Sequence, residues 1–368
     1  MYDQDKRIVI TLDAGGTNLV FGAMRGCEYI VEPLTLPSRA DNLEECLKSL
    51  EKGFRTVIDG LDEKPVAISF AFPGPADYQN GIVGGYLPNF PAFRNGVALG
   101  PYLQELFGIP VYINNDGDLF AFGEAMAGAL PMINRRVAEL GGERRYKNLL
   151  GYTFGTGFGI GEVIDNRLNL GNNSCIETFC LPATTRDNSV MVEDFVAIRA
   201  IIREYKRLAG DTEVPADITP RDICEIADGK RPGNREAAIE SFRLFGEAAG
   251  DAMAIAVTLT DSLVVVGGGL TGAARHFMPS LLKTMRGSIH TINGEQLGKV
   301  QMEIYDLDNE EELKKFALGN STPLKIYGTD KTVSYDPVKR TGIMMSKLGA
   351  SKAISIGAYT YALSQLDK

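Results

Sequence analysis

Histidine is scarce in this chain of 368 residues, which has only His276 and His290. Nucleophilic hydrolase sites of the Ser-His-Asp or Cys-His kind need a histidine beside the nucleophile. Both histidines come late in the chain, and His276 precedes a predicted helix, where we interpret it as a surface or capping residue. The sequence therefore gives little support to hydrolase chemistry of this kind.

Cysteines are few, and long apolar runs are absent. The five cysteines are odd in number and scattered, which is typical of reduced thiols; they are Cys27, Cys46, Cys175, Cys180 and Cys224. The first seven residues lead into a strand without an apolar signal core, and no apolar run reaches the roughly 18 residues that span a bilayer. We therefore expect a cytoplasmic protein without disulfides or a membrane span.

Basic residues are outnumbered, with 38 Lys and Arg against 47 Asp and Glu and a net charge of −9. Such a charge repels nucleic acids and anionic membranes, so we expect small-molecule partners. The strongest local cluster of positive charge lies in a loop-like stretch that two glutamates interrupt, and it contains Arg135, Arg136, Arg144, Arg145 and Lys147. We interpret this cluster as a solvated surface.

The length of the chain favours two domains, because a single core seldom grows this large. Strand and helix signals alternate, which is typical of an α/β protein with a mixed sheet. From residue 149 the second half repeats the order of strands, glycine turn and helices found in the first half. Duplication is the simplest explanation of this repeat. We expect an N-terminal lobe of residues 1–117, joined by a last helix within 343–368, and a larger lobe of residues 118–342. Residues 286–340 are polar and poor in strand signals.

Three glycine-rich turns follow three predicted strands. The first contains Asp13 and continues with Gly15, Gly16, Thr17 and Asn18; the second contains Gly155, Thr156 and Gly157; the third contains Gly267, Gly268, Gly269 and Leu270. Glycine lets backbone N–H groups approach phosphate oxygens, and threonine and asparagine add donors. The spacing matches neither the dinucleotide fingerprint nor the Walker loop. Taken alone, the first turn also fits an ordinary hairpin, but the three together predict a nucleotide site.

Further motifs accompany these turns. The chain carries, in order, Asp13 to Asn18, Pro73-Gly74-Pro75, Asn115-Asp116 followed by Gly123-Glu124, Gly155-Thr156-Gly157, Val266 to Leu270, Ser346 to Ala350 and Ile356-Gly357-Ala358. In order and spacing these motifs resemble the ROK family of sugar kinases and repressors. The resemblance implies a two-lobed actin-like ATPase (ribonuclease H-like) fold with a duplicated mixed-sheet core, and it suggests a homodimer.

The resemblance assigns roles to individual residues. It implies that Asn115 binds a sugar hydroxyl and that Asp116 is the general base, although Asp116 also fits a helix cap. Asn89 matches the sugar-contacting loop, although it also fits an ordinary turn, and Glu177 aligns with the sugar-binding glutamate. A carboxylate at a strand end can take the proton of a hydroxyl during phosphoryl transfer. Asp13 is expected to hold Mg²⁺ through water.

Residues 171–180 depart from the family pattern. The family has a histidine where this chain has Cys180, and the zinc-binding cysteine cluster that follows is absent. Cys175 and Cys180 have no nearby histidine or third cysteine to complete four ligands, so we expect no zinc site. Because the missing histidine contacts the sugar in the family, glucose specificity does not follow from the resemblance.

The function favoured by the sequence is ATP- and Mg²⁺-dependent phosphorylation of a sugar, with the three turns around the nucleotide. Two alternatives stay open: a sugar-responsive transcriptional regulator, and a sugar-binding protein without kinase activity. Because seven residues precede the first strand, we expect no N-terminal helix-turn-helix, and the negative charge disfavours DNA. The retained Asp116 argues against loss of catalysis.

Overall fold

The computed structural model describes residues 2–210 and 214–368 and divides into two units. Unit 1 comprises Met1–Pro131, Ile160–Ile176 and Lys347–Lys368, and unit 2 comprises Met132–Gly159 and Glu177–Ser346. The lobe boundary expected at residue 118 thus falls inside unit 1, to which the residues from 160 to 176 also return. Within the described ranges, no helix combines the length and apolar character needed to cross a membrane.

The elements alternate along the chain. From the N-terminus the chain forms β1 (Val9–Ala14), β2 (Asn18–Arg25), β3 (Glu28–Tyr29), β4 (Leu34–Pro37), α1 (Leu43–Asp59), β5 (Ala67–Ala71), β6 (Ala76–Asp77), β7 (Ile82–Val83), α2 (Leu99–Phe107), β8 (Val111–Asn114), α3 (Asp116–Met126), α4 (Ala129–Glu139), β9 (Leu149–Phe154), β10 (Phe158–Ile164) and β11 (Arg167–Leu168). It continues with β12 (Pro182–Ala183), β13 (Asp187–Met191), α5 (Ile198–Ala209), α6 (Pro220–Ala227), α7 (Arg235–Thr260), β14 (Leu263–Gly267), α8 (Ala274–Met285), β15 (Ser288–His290), β16 (Gln296–Gly298), β17 (Glu303–Asp306), α9 (Glu310–Leu318), β18 (Thr322–Lys325), β19 (Thr332–Tyr335), β20 (Arg340–Met345) and α10 (Ala350–Leu366).

The sheet of unit 1 is covered by helices on both faces. Its strand order is β3-β2-β1-β5-β8, and β4 also pairs with β2. Because side chains alternate along a strand, Ile10 and Leu12 of β1 join a core with residues of α1 and α2, whereas Val9 packs with Ile356 and Tyr359 of α10. The apolar run of the first strand is therefore buried on both sides.

Three parallel strands of unit 1 end at one edge. β1, β5 and β8 run in the same direction, and their register aligns Asp13 with Ala71 and Ala71 with Asn114. With strands about 4.8 Å apart, Asp13 and Asn114 lie two strands, or roughly 10 Å, from each other. The first glycine turn and the Asn115-Asp116 pair consequently emerge from the same edge of this sheet.

Helices α3 and α10 cross closely through two glycines. A Cβ atom on Gly123 would overlap the carbonyl oxygen of Ala353 and lie 2.9 Å from the backbone nitrogen of Gly357. A Cβ atom on Gly357 would overlap the carbonyl oxygen of Leu119 and lie 3.0 Å from its Cα. Any side chain at either position would push the helices apart. The crossing therefore fixes α3, the helix that begins with Asp116.

Four strands of the unit 2 sheet are parallel. Strands β9, β14, β20 and β17 lie side by side in that order, with neighbours parallel. Phe154 of β9 packs against Phe245 of α7 at 5.3 Å and Phe277 of α8 at 5.7 Å between ring centroids, which holds both helices on the sheet. Because the strands are parallel, the second and third glycine turns follow β9 and β14 at one edge.

Candidate active site

The first glycine turn of unit 1 is held in shape by backbone bonds and by Ser38. The N–H of Gly15 donates to the carbonyl of Asn18 at 2.9 Å and closes the turn. Ser38 donates its N–H to the carbonyl of Thr17 at 2.9 Å and its hydroxyl to the carbonyl of Gly16. The Gly15 N–H is thus engaged within the turn.

Asn89 lies beside this turn. Phe90, the next residue, is fully buried, with its ring 4.6 Å from that of Phe72 and 5.8 Å from that of Phe93. Asn89 itself is exposed, and a Cβ atom on Gly16 would lie 3.1 Å from its Cβ. The aromatic anchor therefore sets Asn89 against the first turn, so that two predicted site segments meet within unit 1.

Asn115 caps helix α3, and Asp116 is the first residue of the helix. The Asn115 Oδ1 accepts a hydrogen bond from the Asp118 N–H at 2.5 Å. The alternative in which Asp116 caps the helix is therefore wrong. The Asp116 carboxylate is exposed to solvent at the edge that also carries the first turn.

The Asp116 carboxyl has a perturbed pKa. Surrounding protein removes part of its hydration, which raises the pKa above the usual range, and the charge of Asp13 raises it further. The Gly117 N–H, which donates to Oδ1 at 2.9 Å, acts in the opposite direction. Burial also raises the pKa of Asp13. A carboxylate of raised pKa at an accessible strand end is suited to accept a proton.

The second glycine turn belongs to unit 2 and is braced by an ion pair. The Gly155 N–H donates to the Gly157 carbonyl at 3.2 Å. Glu193 accepts from the Phe158 N–H at 3.0 Å and pairs with Arg199 at 2.9 Å, while Arg199 donates to the Thr156 carbonyl at 3.2 Å. Arg199 also pairs with Asp194 at 2.9 Å, so two carboxylates compensate its charge and its role at the turn is to brace it. No feature of the sequence pointed to Glu193, Arg199 or Ser38.

The third turn lies against the end of β9. The Leu270 N–H donates to the Phe154 carbonyl at 3.1 Å, so residues 267–270 sit beside the start of the second turn. Gly268 has φ +96°, and a Cβ atom there would overlap the Phe154 backbone. Glycine is thus required at this position. The second and third turns therefore adjoin each other within unit 2.

The predicted site residues divide between the two units. Unit 1 holds Asp13, Gly15 to Asn18, Asn89, Asn115 and Asp116, and unit 2 holds Gly155 to Gly157, Glu177 and Gly267 to Leu270. Glu177 is half-buried in an irregular segment, and the thiols of Cys175 and Cys180 are exposed and free.

One cluster of metal-ligand type occurs within the described residues. The ligand atoms of Cys224, Asp228 and His276 lie within 4.8 Å of one another in unit 2. Asp228 already accepts from Arg275 at 2.5 Å and Lys230 at 3.0 Å, and these contacts keep its pKa well below the usual range. His276 is half-buried and bonds Asp228 instead of standing on the surface. Because the side chains of Arg275 and Lys230 already pair with Asp228, we interpret this cluster as a structural network of ion pairs.

Comparisons of sequence and structure identify relatives of this chain. A sequence profile of the ROK family matches residues 9–305. The crystal structure of a glucokinase from Parabacteroides distasonis is 53% identical in sequence, with 99% of each chain covered and a TM-score of 0.90. Glucokinase from Streptomyces coelicolor is 25% identical over 283 residues, which cover 72% of this chain and 82% of that protein. A ROK family glucokinase from Streptomyces griseus, solved with glucose and AMPPNP, is 19% identical, with 96% and 98% covered and a TM-score of 0.62.

These matches extend over the parts of the chain that carry the predicted motifs. The profile includes all three glycine turns and the Asn115-Asp116 pair, and the structural match covers nearly the whole chain. The expected actin-like ATPase fold is confirmed by the likeness to the glucokinase structures. The chain belongs to the ROK family.

Proposed function

We propose that this protein transfers the γ-phosphoryl group of ATP to a sugar, a hexose or hexose derivative, at its 6-hydroxyl. The observation that carries the proposal is the Asp116 carboxylate, accessible and of raised pKa, at the strand edge that also bears the first glycine turn. The glucokinases among its relatives support the same reaction class.

Asp116 would act as the general base. Its carboxylate would accept a hydrogen bond from the sugar hydroxyl and take the proton as the oxygen attacks phosphorus. Asn89, Asn115 and Glu177 would bind the other hydroxyls and orient the sugar. Phosphoryl transfer depends mainly on such positioning and on charge stabilisation, because the protein forms no covalent bond to the phosphoryl group.

The glycine turns would hold the nucleotide. Gly15 to Asn18 would surround the terminal phosphates, the turn at Gly155 to Gly157 would contact phosphate, and Gly267 to Leu270 would border the adenosine. Asp13 suits Mg²⁺ bound through water, because burial raises the pKa of this carboxyl and a cation would compensate its charge. When bound, Mg²⁺ neutralises charge on the phosphate oxygens.

A panel of sugars tests the proposal directly. We expect ADP release from ATP and Mg²⁺ to depend on the sugar when glucose, other hexoses and N-acylated hexosamines are compared. Glucose is the first acceptor to test, because the named relatives are glucokinases, and the hexosamines address the change at Cys180. Turnover with none of these sugars, together with sugar binding by calorimetry, would favour the alternative of a sugar-binding protein without kinase activity. Binding to DNA at physiological salt would favour the regulator.

The role of Asn89 can be tested separately. We expect Asn89→Ala to raise the KM for the sugar by about 10-fold to 100-fold while leaving the KM for ATP within about 2-fold, because one to two hydrogen bonds to the sugar are lost. Steady-state kinetics with each substrate varied in turn would measure both values. Asn293→Ala, an exposed residue between β15 and β16, is the matched control. Equal increases in both KM values would argue instead for a general distortion of the first turn.

The quaternary structure and location complete the proposal. The family resemblance supports a homodimer in the cytoplasm, and light scattering coupled to size-exclusion chromatography would measure the mass of the purified protein.

A further inference from the structure

A basic pocket lies at the amino edge of the unit 2 sheet. It has a volume of about 590 Å³ and is lined by residues that precede each of the four parallel strands. Asn148 precedes β9, Asp261 lies before β14, Met302 precedes β17 and Lys339 precedes β20. The pocket is therefore a product of the sheet topology and gathers segments nearly 200 residues apart.

Positive charge dominates the lining. Four basic side chains lie in the lining: Arg144, Arg145, Lys147 and Lys339. Arg340 also lines it, but its guanidinium is paired with Asp336 at 2.5 Å. Asp261 is the acid in the lining. Such a concentration of positive charge is notable in a chain whose net charge is −9, and it focuses a positive potential in a concave site.

The segments that carry these charges are fixed by hydrogen bonds. The side-chain amide of Asn134 donates to the Tyr146 carbonyl at 2.9 Å and accepts from the Tyr146 N–H at 2.8 Å. The Asn148 carbonyl accepts from the Leu263 N–H at 3.2 Å, and the Lys339 carbonyl accepts from the Glu303 N–H at 2.9 Å. The backbone beneath the basic side chains is thus held in place, which lowers the entropy cost of binding an anion.

The pocket is separate from the glycine turns. Those turns follow the carboxyl ends of β9 and β14, whereas the pocket lies before their amino ends. A six-residue strand such as β9 is about 20 Å long. An anion in the pocket would therefore not overlap a nucleotide held by the second and third turns.

We propose that this pocket binds a small phosphate-bearing anion, either inorganic phosphate or the phosphomonoester of a metabolite. Arginine guanidinium groups bind phosphate oxygens in pairs, and lysines add point charges. The volume exceeds what a bare phosphate fills, and Asp261 offers an acceptor for hydroxyl groups of an attached organic part. Arg144, Arg145 and Lys339 would make the principal contacts. This inference does not depend on the proposed kinase reaction.

The test is binding with the nucleotide site occupied. The full chain is saturated with a non-hydrolysable ATP analogue, and inorganic phosphate or hexose 6-phosphate is titrated by calorimetry at constant ionic strength. We expect saturable binding of at least one of them, and a Kd raised by at least roughly 10-fold in the triple variant Arg144→Gln, Arg145→Gln, Lys339→Gln. The single variant Lys339→Gln changes one exposed side chain and therefore avoids the disturbance of folding that three substitutions could cause. We expect its Kd to lie between those of the parent and the triple variant. Lys314→Gln, an exposed lysine of α9 outside the pocket lining, is the control and should bind like the parent.

The two ligands separate the two sources of phosphate. Tighter binding of hexose 6-phosphate identifies a site for an organic phosphomonoester, and equal affinities identify a site for phosphate itself. Three results would overturn the inference: no saturable binding of either ligand, unchanged affinity in both pocket variants, or displacement of the ligand by further ATP analogue.

Discussion

Asp116→Asn is expected to lower kcat with the preferred sugar by about 10²-fold to 10⁴-fold, the usual contribution of a positioned general base. The amide has nearly the same shape but cannot take the proton of the attacking hydroxyl. The KM for ATP should change little, because Asp116 is assigned to the sugar hydroxyl and not to the nucleotide. Initial rates of ADP release, with sugar and ATP varied separately, measure these quantities.

Stability separates loss of chemistry from loss of fold. The pKa of Asp116 is raised in the folded state, so the native protein holds this proton more tightly than the unfolded chain. As pH rises through the folded pKa, the ionised carboxylate therefore costs stability, and the neutral asparagine escapes this cost. We expect Asp116→Asn, studied with EDTA at pH 8, to have a Tm equal to or above that of the parent. At a pH below both pKa values the advantage should vanish.

The matched control is Asp62→Asn, which makes the same chemical change at an exposed residue between α1 and β5. It should leave kcat and Tm unaltered. If Asp116→Asn turned over the sugar at nearly the parental rate, Asp116 would not be the base, although the reaction itself could stand. If its Tm fell sharply at pH 8, a structural role would explain any loss of activity.

The parts of the candidate site that sequence predicts are contiguous in the chain. Gly15 to Asn18, Gly155 to Gly157 and Asn115-Asp116 each place strand, turn and polar groups within a few residues, so a local pattern is enough. Ser38, Glu193 and Arg199 contact these turns from other elements. Their contacts depend on tertiary packing, and neither serine nor an ion pair has a distinctive spacing. The sequence therefore predicts the motifs but not the distant residues that hold them in place.

The same limit applies to the fold. Strand β20 lies inside the unit 2 sheet between β14 and β17, yet its segment begins with Arg340 and Thr341 and contains Gly342. Gly342 is required because a Cβ atom would contact the Leu307 side chain at 2.5 Å, and Arg340 is buried through its pair with Asp336. Partners supplied by distant segments thus override a polar local composition. By contrast, the cap of α1 is a local pattern, because Asn42 accepts from the Glu45 N–H only three residues along the chain.

Gly357→Ala is expected to destabilise the protein, although alanine is the better helix former. Propensity alone would stabilise α10 by about 1 kcal/mol. The added Cβ atom, however, would overlap the carbonyl of Leu119 in α3, and a backbone atom cannot move aside as a flexible side chain can. Overpacking of this kind costs about 2–3 kcal/mol, which leaves a net loss of about 1–2 kcal/mol, or roughly 2–8 °C in Tm. Thermal and urea unfolding would measure the change.

Whether Gly357→Ala raises or lowers the stability shows whether helix propensity or packing dominates at this position. Gly60→Ala, at the end of α1, adds a Cβ atom whose nearest neighbour is the Thr56 carbonyl oxygen at 3.4 Å, an ordinary contact. With φ −84° at this position, it should be neutral or stabilise by about 0.4–1 kcal/mol, because alanine restricts the unfolded chain. Gly123→Ala, on the other side of the crossing, should destabilise like Gly357→Ala. If both crossing variants were as stable as the parent, the helices would not be in close contact there, and α3 would not owe its position to this crossing.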